Sequence, residues 1–172
     1  MKPSILIAGV GNIFLGDDAF GVEAVRAVMR LPLPDEVASV DFGIRGFDLA
    51  FALLEPWHAV ILVDALARGG APGTLYTIEP DLAAIAAAPA ESAMNPHGMD
   101  PVRVLRLALS MGPVSAQVYV VGCEPQDFGD ELEGRMGLSA TVQAAVPEAV
   151  TMIHSLAGKL LQAAVPEPAL SQ

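Results

Sequence analysis

The stretch SILIAGV, Ser4 to Val10, constrains this chain more than any other. An almost wholly apolar run with Gly9 near its end and Gly11 just beyond it reads as a strand buried on both faces. Such a strand needs cover above and below, which helices supply. The first helix follows at once. Ala19 to Met29 carries Phe20, Val22, Val25, Val28 and Met29 at helical spacing, and Pro32 and Pro34 close the region.

The alternation continues along the chain. Val37 to Phe42 reads as a second strand, Gly43 to Gly46 as a turn, and Phe47 to Leu54 as a short helix stopped by Pro56. His58 to Val63 (HAVILV) is a third strand ending at Asp64. Ala67 to Gly73 is turn chemistry, and Thr74 to Ile78 is a fourth strand. About nine residues separate strands three and four, whereas a parallel crossover needs about a dozen or more, so strand four should run antiparallel. Asp81 to Ala90 reads as helix or loose loop, Met99 to Met111 as helix and Gln117 to Cys123 as strand five. An acidic loop spans Glu124 to Gly137. Ser139 to Ala163 is a long helix that Pro147 should disturb. Strands alternating with helices predict an α/β fold, a three-layer α/β/α sandwich around a mostly parallel sheet. Residues 1–165 are expected to form a single domain, with 166–172 a frayed tail.

Composition narrows the function. The chain has 172 residues, enough for one compact domain, and 53% are apolar. Mean hydropathy is +0.50, which argues against disorder. No run reaches the roughly 18 apolar residues of a membrane span. The opening residues lack a small-residue cleavage site, so they read as a strand and the protein as soluble and cytoplasmic. A net charge of −11 makes nucleic acid and anionic lipid poor partners and favours a cationic or metal-bearing one. The lone Cys123 excludes an internal disulfide and a multi-cysteine metal cage, and its strand context makes it a buried small hydrophobe.

The turn after strand one begins like a nucleotide-binding loop, with Gly9 and Gly11. The dinucleotide fingerprint then needs a third glycine, but Phe14 stands there, and Asp17 and Asp18 would repel a pyrophosphate. The two acids have a capping reading, since acids favour the first turn of a helix. Asn12 reads as a turn residue. Asp64 closes an apolar strand, and His97 lies in NPHGMD just before a helix. His58 and His154 read as structural or solvent-facing. In open α/β sheets, sites form beyond the carboxyl ends of strands, where the loops deliver Asp17, Asp18 and Asp64. Carboxylates with an imidazole suit a borderline divalent metal such as nickel or zinc, or polarised water with an acid as base. There is no G-x-S-x-G elbow and no H-E-x-x-H.

Three blocks, GVGNIFLGDDAFGVEAV, VDALARGGAPGTL and NPHGMDPVRVL, together resemble the hydrogenase maturation proteases over about Ile5 to Pro147. These endopeptidases trim the C-terminal tail of the large subunit of nickel-iron hydrogenases. The resemblance implies a mixed five-stranded sheet of order 2-1-3-5-4 with strand four antiparallel, as in phosphorylase/hydrolase-like folds. It implies that Asp18, Asp64 and His97 are the catalytic and nickel-binding residues. In that arrangement Asp17 would cap the helix and Asp18 would point into the cleft. The nickel would arrive on the substrate, the large-subunit precursor, and the protease would act as a monomer. Two roles for the acids stay open: nickel ligation alone, or aspartic-type chemistry as well. Many relatives carry D-G-G-T-x-G after strand two. Here the segment is DFGIRGFDL: Gly43 and Gly46 keep the turn, Ile44 replaces the threonine and Arg45 is added, so the loop reads either as an ordinary β–α turn or as one that bears on the choice of hydrogenase. The alternatives are a peptidase with another protein substrate, and a non-catalytic nickel or large-subunit chaperone using the same residues.

Overall fold

Successive residues of the opening strand go to opposite faces of a sheet, as the two-residue side-chain period requires. In the computed structural model, which describes residues 4–89, 100–130 and 132–164, β1 (Ile5–Val10) sends Ile5 and Ile7 to one core and Leu6, Ala8 and Val10 to the other. β3 (Ala59–Ala65) does the same, with Ile61 and Val63 opposed to Val60 and Leu62. Both strands are buried along their whole length, so each face needs its own helical layer.

One layer is α1 (Phe20–Val28) with the long α5 (Ala140–Ala164), which buries Val142, Ala149, Ile153 and Leu160. The other includes α2 (Gly46–Leu53) and α4 (Pro101–Met111), which bury Leu49, Leu53, Val104 and Leu105. The short α3 (Leu82–Ala87) packs Leu82 and Ile85 against this second core. This resolves the Ala-rich stretch in favour of helix over those residues.

The sheet order is β2-β1-β3-β5-β4, with β2 at Val37–Gly43, β4 at Leu75–Ile78 and β5 at Gln117–Cys123. β1 pairs in parallel with β2 and β3, β3 in parallel with β5, and β4 runs antiparallel to β5. The short link between β3 and β4 therefore had the consequence expected of it. The disturbance expected at Pro147 does not interrupt α5: the helix runs through it, with Pro147 on the exposed side and Val146 and Ala149 holding the buried stripe. Cys123 is buried in the α1–α5 core, and His154 is exposed. No helix among the described residues is long and apolar enough to cross a membrane. The expected tail, 166–172, lies outside the described residues.

Candidate active site

β1, β3 and β5 run parallel, so their carboxyl ends share one edge of the sheet. Glycines shape the turn after β1. Gly11 and Gly16 have φ of 140° and 55°, conformations that side chains beyond glycine rarely take. Gly21 abuts the carbonyl oxygens of Val10 and Val63, and a Cβ there would collide with both. α1 therefore starts directly over the ends of β1 and β3. A 3-10 turn, Gly16–Ala19, leads into it and carries both acids.

The adjacent acids have opposite fates. Asp17 is wholly buried and turned away from its own helix. Its Oδ2 accepts from the backbone N–H groups of Gln126 (2.8 Å) and Asp127 (3.0 Å) and from Ser139 Oγ (2.9 Å). Its Oδ1 accepts from the Ser139 N–H at 2.6 Å. The expectation that Asp17 caps the following helix is thus corrected, since its bonds go to residues more than a hundred positions away. Burial works to raise its pKa, but the Ser139, Asp127 and Gln126 donors together hold it below the usual carboxylate range.

Asp18 is 7% exposed and its Oδ2 accepts from the Asn12 N–H at 2.8 Å. Burial raises its pKa against that one bond. Asn12 behaves as a turn residue, its Oδ1 accepting from the Phe14 N–H at 2.9 Å. Asp64 follows the Val60 and Leu62 alternation and so belongs to the α2–α4 face. It is 3% exposed, and its Oδ1 has no hydrogen-bond partner among the described residues. Burial, then the negative charge of Asp18, pushes its pKa well above the usual range. Asp100 adds to this, and the Ala65 backbone opposes it. Asp100 itself caps α4, accepting from the Val102 N–H at 2.8 Å. Asp18 and Asp64 are therefore brought together. His97 lies outside the described residues.

Two residues at this edge escaped the sequence reading. Glu124, assigned there to an acidic loop, is buried. It accepts from the Arg68 N–H and the Tyr76 hydroxyl, both at 2.8 Å, and from the Gly69 N–H at 3.1 Å. It fastens the turn after β3. Its signal was an acid directly after an apolar strand, as at Asp64. Ser139 precedes a helix, an N-cap signature, yet its larger role is to bind Asp17. Nearby, a groove of about 320 Å³ runs between the opening loop and the β2–α2 turn, with Phe14 and Ile44 exposed on its rim.

Two buried carboxyls of raised pKa, one with an oxygen unpartnered among the described residues, can hold a proton or share a cation. Oxygen donors of this kind fit a borderline divalent ion if an imidazole joins them. Among the described residues, no three His, Cys, Asp or Glu side chains form such a group by themselves.

The family model described as hydrogenase maturation protease matches residues 22–156, starting just beyond the acid pair. The hydrogenase 2 maturation protease of Escherichia coli K12 is 30% identical over 169 residues, 96% of this chain and 98% of that one. The coenzyme F420 hydrogenase subunit delta of Methanothermobacter thermautotrophicus is 33% identical over 154 residues, 87% of this chain and 91% of that one. Among solved structures, the hydrogenase maturating endopeptidase HybD from E. coli aligns with a TM-score of 0.71 at 26% identity, covering 92% of this chain and 93% of that one.

Proposed function

The chain belongs to the hydrogenase maturation protease family, and on that premise we propose that it removes the C-terminal extension of a nickel-iron hydrogenase large-subunit precursor after nickel insertion. One observation carries the reading. Asp64, buried at the carboxyl edge of the sheet with one oxygen unpartnered among the described residues, sits within the field of Asp18. Such a pair is poorly served by its own protein and well served by a cation that arrives from outside.

Nickel is here part of the substrate. Asp18, Asp64 and His97 are the residues that would reach it and dock the cleavage site. When bound, the metal supplies Lewis acidity toward the scissile carbonyl. The protein's own groups do the rest. Whichever carboxyl oxygen of Asp18 or Asp64 is left off the metal accepts a proton from the attacking water. The Asn12 N–H holds Asp18 Oδ2 in place. The groove beside Ile44 and Arg45 would receive part of the precursor and so bear on which hydrogenase is served. This reading puts the reaction in the cytoplasm, with the protease a monomer.

The test is intact mass of a large-subunit precursor incubated with the protease, with and without nickel loaded. Loss of the tail from the loaded precursor alone is expected. Cleavage regardless of nickel would remove nickel as the recognition element. Binding without any shortening would favour the chaperone reading.

A further inference from the structure

The 3-10 turn that carries Asp18 has little stability of its own. It is four residues long, and its N-cap position, Leu15, makes no side-chain cap bond. A single 3-10 turn in isolation does not persist. What fixes it comes from the other end of the chain. The Gly16 N–H donates to the Arg135 carbonyl at 2.8 Å, and the Asp17 N–H to the Asp127 carbonyl at 3.0 Å. The Arg135 N–H donates back to the Phe14 carbonyl at 2.7 Å. The Asp17 carboxylate then takes four more bonds, from Gln126, Asp127 and twice from Ser139. The Asp18 carboxylate, by contrast, has one hydrogen bond among the described residues, from the Asn12 N–H. Its direction is therefore set by the backbone of its turn, and that backbone is held by the Asp17 carboxylate together with the main-chain bonds to Arg135 and Asp127.

We propose that Asp17 is a positioning residue that aims Asp18, by clamping the catalytic turn to the loop after β5 and to the start of α5. The proposal rests on the reading of Asp18 as a site residue. Asparagine at position 17 matches aspartate in size but offers one acceptor oxygen where two are used. Its amide N–H would face either Ser139 N–H or the Gln126 and Asp127 donors, so the clamp loosens on one side. Misplacing a reacting group by about 1 Å costs about 100-fold in rate.

The local reporter is the Asn12 amide, because its hydrogen is bonded to Asp18 Oδ2. Hydrogen exchange at Asn12 is measured in the full chain for Asp17→Asn, with Glu124→Gln as comparison. The latter alters another buried acid, one whose side chain fastens a different loop. Asp17→Asn should speed exchange at Asn12 at least about tenfold and slow precursor cleavage about 10- to 100-fold, while Glu124→Gln leaves Asn12 exchange within about twofold. Should Asp17→Asn fail to fold, Ser139→Ala, which deletes the Oγ bond, should shift exchange the same way by about threefold. Unchanged Asn12 exchange in the folded variant overturns the proposal. So does equal acceleration in Glu124→Gln, which would make the effect one of general stability. Faster Asn12 exchange in Asp17→Asn, together with full cleavage by Asp18→Asn, would keep the clamp and discard Asp18 as a catalytic group.

Discussion

The charge of Asp18 opposes ionisation of Asp64, which burial already disfavours. Neither acid has enough donors to offset this, since Asp18 has the single Asn12 N–H and Asp64 Oδ1 has none among the described residues. The pair therefore stores an electrostatic cost in the free protein, a common property of functional sites.

That cost should be visible in stability. The folded-state pKa of Asp64 is raised, so the folded protein keeps a proton that the unfolded chain has released. Stability then falls as pH rises from the ordinary carboxylate range through the folded pKa of Asp64. Asp64→Asn should abolish this fall, raise the melting temperature at neutral pH, and end cleavage. Each 1 kcal/mol gained corresponds to about 2–4 °C at this size. Thermal unfolding across pH checks it, and an Asp64→Asn protein less stable than the parent at neutral pH would contradict it. Asp17 has the opposite sign. Its lowered pKa contributes stability above the unfolded carboxylate value, lost as pH falls through its folded one.

Asp18→Asn keeps an oxygen that can accept from Asn12, so the turn should survive. Its cleavage of nickel-loaded precursor should drop about 100-fold or more, in the range expected when a general base or metal-held carboxylate is removed. Single-turnover assays with intact-mass detection would read this. A loss smaller than about threefold would place the chemistry elsewhere.

Gly21 stands where α1 crosses the ends of β1 and β3, and a methyl group there meets backbone carbonyls that cannot swing away. Gly21→Ala should cost about 1–3 kcal/mol through overpacking. It should also reduce cleavage, because the acid pair leads directly into this helix. Denaturant titration alongside the cleavage assay separates the two effects.

Pro147 lies on the exposed face of an unbroken helix, without an N–H to donate. Pro147→Ala restores that donor and loses no buried contact, so the protein should gain about 1–3 kcal/mol with cleavage unchanged. An unchanged or lower melting temperature would show that the proline is accommodated without cost.

The layers of this fold were legible because they follow from local periodicity. Ile5 and Ile7 against Leu6 and Ala8 demand two cores, helical spacing over Phe20 to Val28 supplies one cover, and the short β3–β4 link forces β4 antiparallel. Asp64 could be found for the same reason, as an acid placed where an apolar strand ends. Strand order came from the family resemblance, since periodicity says which segments are strands and not which neighbour each takes.

What the sequence by itself determined was therefore the set of elements, their burial and the edge at which acids gather. The tertiary structure decided what each acid does there. Asp17 and Asp18 are neighbours of identical chemistry, and helix capping was a reasonable reading of both. They differ because Gln126, Asp127 and Ser139 converge on one carboxylate from 109 to 122 residues away, while the other has a single donor among the described residues. A carboxyl's ionisation depends on its desolvation and on the donors that reach it, and both are properties of the packed chain rather than of local sequence. The same holds for Glu124, a loop acid by pattern, which folding buries as the fastening of the turn after β3.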